Sequence, residues 1–362
     1  MNSKQVLFSL LICVLTITGC STEKQIIVGN ELALTRAKQT LDSLYLNYSV
    51  PGTCLLRENY PSNIGECIVT YPTSGESKNM PRQFSYLWPY SGTFSAVNAL
   101  FAATQDTTYK AILDHKVLVG LEEYFDTQRT PIGYASYIRN ARQSDRFYDD
   151  NIWLGINFTF IYLLTREAKY LQKALLIWNF IKSGTDDKLG GGTYWCEEGK
   201  NSKNTCSNAP GAVLALKLFQ ATQDSAYLAE GQKRYEWTKA HLQDPVDYLY
   251  FDNIKLNGKV DKSKYAYNSG QMMQSAALLY QFTGKQEYLT DAQNIAKGCY
   301  NYFFIDHTPE HGKTFKFLKK GDVWFTAVML RGFIELYGID NNKTYLDSFT
   351  QSLDYAWEHA RD

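Results

Sequence analysis

The sequence predicts an all-α protein of repeated helical hairpins, an (α/α)6 toroid with an inner ring of helices inside an outer ring. A turn that ends on a tyrosine occurs five times, and successive tyrosines are 61, 57, 61 and 57 residues apart, at Tyr109, Tyr170, Tyr227, Tyr288 and Tyr345. Apolar residues recur at helical spacing around these turns, as at Leu214, Leu218 and Leu228. A repeat of about 59 residues is longer than the repeats of open α-solenoids.

The connections between the hairpins are long, and long loops usually carry function. In an alternating ring, all short turns lie on one face and all long loops on the other. Motifs rich in aromatic residues, Gly, Pro, Asn and Asp occur where each inner helix should begin, at 88–92, 148–151, 208–211, 267–270 and 321–324. We therefore expect a functional site at this end of the inner ring.

Eleven helices can be counted, an outer one near residues 31–48 followed by five hairpins. The position of a sixth inner helix is then vacant, so either the ring is open, another segment fills the position, or the sequence is truncated. The predicted domains are a signal peptide at 1–19, a lipidated anchor and tether at 20–29, and the toroid at 30–362.

Charge and composition restrict the class of partner. The 362 residues contain 37 Lys and Arg against 37 Asp and Glu, and this balance argues against nucleic acid as a partner, because phosphate binding needs a basic surplus. Aromatic residues make up 15%, and sugar binding is one use for them. The five turn tyrosines explain a small part of that share.

The N-terminus resembles a bacterial lipoprotein signal. Lys4 precedes an apolar run at 6–17 that is too short to span a bilayer, and residues 17–20 read Ile-Thr-Gly-Cys. Cleavage before Cys20 would leave that thiol lipidated, and Ser21 favours sorting to the outer membrane. We expect a monomer that touches the membrane through its lipid alone.

The positions of the cysteine and histidine residues lead us to expect no catalytic thiol, no metal site and no cofactor. Cys54 and Cys67, and likewise Cys196 and Cys206, are close enough in sequence to pair, so either no disulfide or two are expected. Cys299 lies in a helical run and is predicted to be buried. His307 and His311 have no evident third ligand.

Asp149 and Asp150 are the one pair of adjacent carboxylates at the start of an inner helix. A retaining glycosidase needs two carboxyl groups about 5–5.5 Å apart, and both side chains can project into one cleft from a helix N-terminus. Crowding two negative charges favours one shared proton, which a general acid requires. Helix capping is the alternative interpretation of the same residues.

Other polar and aromatic residues have two interpretations each. Asp186 and Asp187 precede three glycines between hairpins and are interpreted as a solvated turn. Asp252 lies in a long loop, where it either binds sugar hydroxyls or caps a turn. Four tryptophans are candidates for stacking on sugars, although one or two are expected to pack in the core: Trp88, Trp153, Trp195 and Trp324.

Taken together, these motifs resemble glycoside hydrolase family 76, the endo-α-1,6-mannanases. The resemblance covers most of the mature chain and implies an (α/α)6 fold, retaining cleavage of α-1,6-linked mannose, Asp149 as nucleophile and Asp150 as acid/base. It implies that Asp252 contacts the sugar where cleavage occurs. The residues that carry the resemblance, and are predicted to bind substrate, are Trp88, Ser91, Trp153, Trp195, Asn208, Asp252, Tyr267 and Asn268.

The leading hypothesis is thus a glycoside hydrolase that cleaves mannan through a covalent glycosyl–Asp intermediate. A transglycosylase would use the same pair of aspartates. A mannan-binding lipoprotein without activity is the alternative that the vacant inner position suggests. A sugar epimerase is disfavoured, because no His stands at the five inner-helix starts.

Overall fold

The computed structural model describes residues 22–61 and 83–360, and the chain divides into two compact units, one up to Asn47 and one from Tyr48 onward. Helix α1 (Thr22–Tyr48) makes up the described part of the first unit, and its last residue belongs to the second. The predicted signal peptide, the lipidation site at Cys20 and Cys67 lie outside the described residues. In the part that is described, no helix combines the length and the hydropathy needed to cross a bilayer.

The second unit alternates inner and outer helices, as the repeat predicts. The inner helices are α2 (Leu87–Thr104), α5 (Tyr148–Thr165), α7 (Thr205–Thr222), α9 (Ala266–Thr283) and α11 (Val323–Asp340). The outer helices are α6 (Ala168–Lys182), α8 (Ser225–Leu242), α10 (Gln286–Phe303), α12 (Thr344–His359) and a composite helix. This composite runs from α3 (Thr107–Ile112) through a π-helical turn (Leu113–Val117) into α4 (Leu118–Leu121) and a final 3-10 turn (Glu122–Tyr124).

Short antiparallel strands occupy the long connections. Strands β1 (Phe125–Asp126) and β2 (Gly133–Tyr134) pair with each other. Strands β3 (Ser202–Asn204), β4 (Phe251–Lys255) and β5 (Val260–Lys264) form a three-stranded sheet in that order. Strands β6 (Phe304–His307) and β7 (Phe315–Leu318) form a third ribbon. The long loops therefore have a fixed backbone from which side chains can be aimed.

The repeated turns share one backbone conformation. Each inner helix ends before a residue in the left-handed conformation, with φ between 55° and 69°, at Gln105, Arg166, Gln223, Gly284 and Asn341. The threonine before four of these residues bonds the carbonyl four residues earlier, as Thr165 does with Ile161 at 2.9 Å. This geometry explains the recurring Thr.

The recurring tyrosines connect neighbouring hairpins. The hydroxyl of Tyr170 donates to Asp114 Oδ1 at 2.6 Å, and that of Tyr288 donates to Glu236 Oε1 at 2.9 Å. In each case the acceptor belongs to the preceding outer helix. The repeated tyrosine thus serves both its own turn and the contact between units.

Buried polar residues at the fourth position of three inner helices hold the loops. Asn151 accepts a hydrogen bond from the N–H of Tyr134 at 2.8 Å, and Asn208 accepts one from Thr193 at 2.7 Å. Ser269 accepts one from Tyr250 at 3.0 Å. Because unpaired buried N–H groups are costly, these bonds fix where each long loop meets its helix.

The first and last of the five inner helices in the described chain contact each other. A Cβ atom on Gly92 would stand 2.2 Å from a ring atom of Trp324, and Arg331 Nη2 donates to Ser95 Oγ at 2.9 Å. Helices α9 and α11 approach closely as well. A Cβ on Gly332 would lie 2.3 Å from the carbonyl oxygen of Gly270.

This close approach predicts opposite effects for two glycines of α11. Gly332→Ala must separate α9 from α11, and we expect a loss of about 1–3 kcal/mol in the free energy of unfolding. Gly338→Ala meets no atom within 4 Å, and better helix propensity should give a gain of up to about 1 kcal/mol. Urea unfolding measures both. Equal destabilisation by the two variants would contradict the packing described.

Candidate active site

Asp149 and Asp150 lie side by side in the first turn of α5, and both side chains are partly exposed. The N-cap residue of α5 is Phe147, which makes no side-chain capping bond, so neither aspartate occupies the N-cap position itself. Asp149 Oδ2 accepts a hydrogen bond from the indole Nε1 of Trp195 at 3.1 Å. Asp149 Oδ1 is buried and has no hydrogen-bond partner.

Main-chain pairing places Trp195 beside Asp149. The N–H of Tyr148 donates to the carbonyl of Trp195 at 2.9 Å, and the N–H of Glu197 donates to the carbonyl of Arg146 at 3.0 Å. Arg146 is fully buried, and its Nε and Nη2 donate to the two carboxylate oxygens of Glu197 at 2.7 and 2.6 Å. A two-pronged, charge-assisted contact of this kind fixes both position and orientation. Arg146 and Glu197 were not predicted as site residues, because they are 51 residues apart and belong to no shared motif.

Burial controls the protonation of the two carboxyls. It raises the pKa of Asp149, while the Cys206 thiol, the Trp195 indole N–H and nearby backbone N–H groups partly offset the rise. The pKa of Asp150 is raised well above its ordinary range by burial and then by the charges of Asp149 and Asp145, with no opposing contact. Burial thus raises both pKa values, and the hydrogen-bond donors beside Asp149 favour the ionised form of that member of the pair.

Asp252 belongs to the same site. It lies on β4, and it accepts hydrogen bonds from Asn253 at 2.8 Å and Asn268 at 3.4 Å. Burial raises its pKa. The Tyr267 hydroxyl and the Cys206 thiol interact electrostatically with both Asp149 and Asp252, so both groups lie near the two carboxylates.

Aromatic rings from three inner-helix starts form a surface on the same face. Phe325 stacks on Tyr267 with centroids 4.2 Å apart, and Trp88 lies 5.9 Å from Phe325 and 5.7 Å from Trp324. Tyr265 packs edge-on against Phe325 at 5.6 Å. Phe325 and Tyr265 were not predicted; Phe325 follows Trp324 directly and Tyr265 lies two residues before Tyr267, and this proximity in sequence was the available signal.

Four predicted substrate-binding residues are buried, and these predictions need correction. Ser91 is 0% exposed and donates to the carbonyl of Trp88 at 2.7 Å, and Trp153 is 2% exposed. Asn208 is 0% exposed, and its amide bonds only backbone groups of Thr193 and Asn204. Asn268 is also 0% exposed and contacts Asp252. These side chains support the site from behind instead of lining it.

Asp186 and Asp187 lie in a partly exposed turn, as predicted, and Asp186 has in addition a structural role. Its Oδ1 pairs with Lys203 Nζ at 2.7 Å, its Oδ2 accepts from the Tyr194 hydroxyl at 2.7 Å, and these contacts lower its pKa against the opposing effect of burial. Lys203 is fully buried and also donates to the carbonyls of Lys188 and Gly191. The ion pair thus organises the glycine loop that leads to Trp195.

The cysteine residues named here are buried, and His307 packs against aromatic rings. Cys196 and Cys206 are buried free thiols, and Cys299 is buried as predicted. His307 packs against Phe315, Phe317 and Tyr355. Within the described residues, no three His, Cys, Asp or Glu side chains are grouped closely enough to hold a metal ion.

The hydrogen bond from Trp195 predicts how the pKa of Asp149 responds to loss of the indole N–H. Trp195→Phe removes a donor to the ionised form of Asp149, so its pKa should rise further, by about 1 unit. NMR titration of carboxyl-labelled aspartate measures the shift. Trp357→Phe, on the outer helix α12, is the matched control and should leave the titration unchanged. An unchanged Asp149 pKa in Trp195→Phe would contradict the proposed role of the indole N–H.

Comparison with known structures places the fold. A glycoside hydrolase family 76 mannosidase from Bacteroides thetaiotaomicron is 34% identical, with a TM-score of 0.80, over 90% of this chain and 86% of that one. An α-1,6-mannanase from Salegentibacter is 26% identical, with a TM-score of 0.68, over 90% of this chain and 86% of that one. It is an inactive variant in which two consecutive aspartates are asparagines, in complex with α-1,6-mannotriose. The predicted α/α toroid fold is therefore confirmed.

Comparison of sequences gives the family. A putative mannan endo-1,6-α-mannosidase of Schizosaccharomyces pombe is 26% identical over 231 residues, 61% of this chain and 51% of that protein. The chain thus spans about half the length of such curated relatives. The sequence model of glycosyl hydrolase family 76 matches residues 59–311, more than half of the chain. The chain belongs to glycosyl hydrolase family 76.

Proposed function

We propose that this protein hydrolyses α-1,6-mannosidic bonds of mannan with retention of configuration, through a covalent mannosyl–Asp149 intermediate. The observation that carries the proposal is the unequal environment of two adjacent, partly buried carboxyls. Asp149 has a donor to its ionised form, and Asp150 has none. The relatives named as α-1,6-mannanases, one of them inactive after replacement of two consecutive aspartates, support the substrate class.

In the first step, Asp149 attacks the anomeric carbon. The Trp195 indole N–H donates to Oδ2 and so orients the carboxylate. A bond forms between an oxygen of the Asp149 carboxylate and the anomeric carbon as the bond to the leaving oxygen breaks, and Asp150 gives its proton to that leaving oxygen. The raised pKa of Asp150 keeps this proton available near neutral pH.

In the second step, Asp150 is a carboxylate and acts as base. It takes a proton from a water molecule, whose oxygen attacks the anomeric carbon and displaces Asp149. Two inversions give net retention. If a sugar hydroxyl takes the place of water, the same intermediate gives transglycosylation, and the choice depends on what occupies the acceptor side.

The aromatic surface is suited to the sugar chain. Tyr267 lies near Asp149 and Asp252, Trp88 is joined to it through Phe325, and Trp195 borders Asp149 directly. Rings of this kind pack on the apolar faces of sugars, while Asp252 offers an acceptor to hydroxyl groups. We assign Trp88, Trp195, Tyr267 and Asp252 to substrate contact.

Exchanging each aspartate tests the mechanism. Asp149→Asn and Asp150→Asn keep size and remove the reacting charge or proton, and hydrolysis of unbranched α-1,6-mannan should fall by at least about a hundredfold in each. An aryl mannoside that leaves without protonation should restore release of the aryl group in Asp150→Asn and not in Asp149→Asn. Product is measured as reducing ends and released aryl group.

The control is Asp187→Asn, an exposed aspartate of the other pair, which should retain full activity. Proton NMR of the first product should show the α-anomer. Undiminished hydrolysis in either active-site variant, or a β-anomer first, would overturn the mechanism. Mannan binding without release of reducing ends by the unmutated protein would favour the non-catalytic alternative.

We further propose that Cys20 carries lipid and anchors the mature protein in a bacterial outer membrane. The support is the Ile-Thr-Gly-Cys sequence after an apolar run, with Ser21 next. Mass spectrometry of the purified N-terminus should find acylated Cys20 as the first residue. Cys20→Ser should abolish the modification and move the protein to the soluble fraction, whereas Cys13→Ser should not. An unmodified N-terminus at another residue would refute the assignment.

A further inference from the structure

A cavity lies on the outside of the ring, behind the loop that leads to Trp195. Its volume is about 260 Å³, and its walls are the end of α6, the glycine loop and one side of α8. The lining side chains and backbone belong to Lys182, Thr185, Gly190, Gly191, Gly192, Glu230, Lys233, Arg234 and Trp237. None of them is among the residues assigned to the sugar site.

Arg234 is the buried cation of this cavity. It is 5% exposed, and its Nη1 donates to Thr193 Oγ1 while its guanidinium lies 5.0 Å from the Trp178 ring centroid. Its Nε is enclosed and forms an ion pair with Glu230 Oε2 at 3.6 Å, which is beyond hydrogen-bond distance. The Glu230 side chain is 39% exposed, so this pairing is loose and balances the guanidinium charge only in part. Burial lowers the pKa of Arg234 to about 10, which leaves it charged at neutral pH.

The lining carries a surplus of positive charge. Lys182 and Lys233 are exposed lysines at the rim, and together with Arg234 they stand against the single carboxylate of Glu230. Charges spread around a cavity suit an anion with several oxygen atoms, because each cation can meet a different oxygen. Gly192 packs directly against the Trp237 ring, since a Cβ there would lie 2.6 Å from a ring atom.

We propose that this cavity binds a phosphate or sulfate group carried by a small molecule, with Arg234 at its base and Lys182 and Lys233 at its rim. The volume exceeds that of a free ion and approaches that of sites for small organic ligands, so a sugar-sized body fits beside the anion. The site goes beyond the proposed hydrolase activity and does not depend on it.

The site is connected to the catalytic loop by direct bonds. Arg234 contacts the Thr193 side chain, and the N–H of Thr193 donates to Asn208 Oδ1 at 2.7 Å. Trp195, the partner of Asp149, follows two residues later. An anion on Arg234 therefore acts at the base of the loop that positions the indole.

Calorimetry of the full mature protein tests the proposal with inorganic phosphate as the probe, at neutral pH and constant ionic strength. We expect saturable binding at one site, and at least about tenfold weaker binding in Lys182→Glu and in Lys233→Glu. Lys297→Glu makes the same charge change at an exposed position on outer helix α10, and should bind as the unmutated protein does. Arg234→Gln should abolish binding, with thermal melting as the check on folding.

Two further titrations identify the source of the anion. A hexose 6-phosphate that binds more tightly than phosphate indicates a phosphorylated sugar, and equal affinity indicates free phosphate; either supports the anion site. Absence of saturable binding by phosphate, sulfate and hexose 6-phosphate would overturn the proposal. Equal affinity in the Lys182, Lys233 and Lys297 variants would also overturn it. None of these outcomes depends on hydrolysis, so failure of this proposal is distinguishable from failure of the proposed function.

Discussion

The candidate site depends on the pairing of residues 146–148 with residues 195–197. This short antiparallel contact joins the start of α5 to a loop about 50 residues later, and the buried Arg146–Glu197 pair locks it. Because a buried ion pair costs desolvation, it is weak evidence for stability and better explained by the position it enforces. What it enforces here is the indole of Trp195 against one oxygen of Asp149.

Elsewhere in the ring, uncharged side chains fix the loops, without the desolvation cost of a buried ion pair. Asn151, Asn208 and Ser269 occupy equivalent positions in three inner helices and bond the backbone of the preceding loop. Glycines at the α9–α11 contact let the inner helices approach until backbone meets backbone. The inner ring is therefore rigid where the loops join it, and rigid support is what a reaction between precisely placed groups requires.

The features that could be predicted from the sequence are those that repeat at a regular spacing or lie within a short motif. The five turns, the inner-helix starts and the Asp149–Asp150 pair were all visible, since each is a pattern within about twenty residues. Burial was not visible: Asn208 and Tyr267 belong to similar motifs, yet the first is enclosed by backbone groups and the second borders Cys206 and the carboxylates. Contacts such as Arg146–Glu197 join distant segments, and no local pattern announces them.

The two Asp-Asp pairs of this chain differ in their surroundings, and this difference explains why only one of them is a candidate active site. Asp186 faces the buried Lys203, and the contact lowers its pKa, so it is a fixed anion that organises a loop. Asp149 and Asp150 face each other without a cation among their described contacts, and burial raises both pKa values. A carboxyl paired with lysine can neither release a proton near neutrality nor attack freely. The absence of a compensating cation beside Asp149 and Asp150 is thus what leaves one proton and one lone pair available for chemistry.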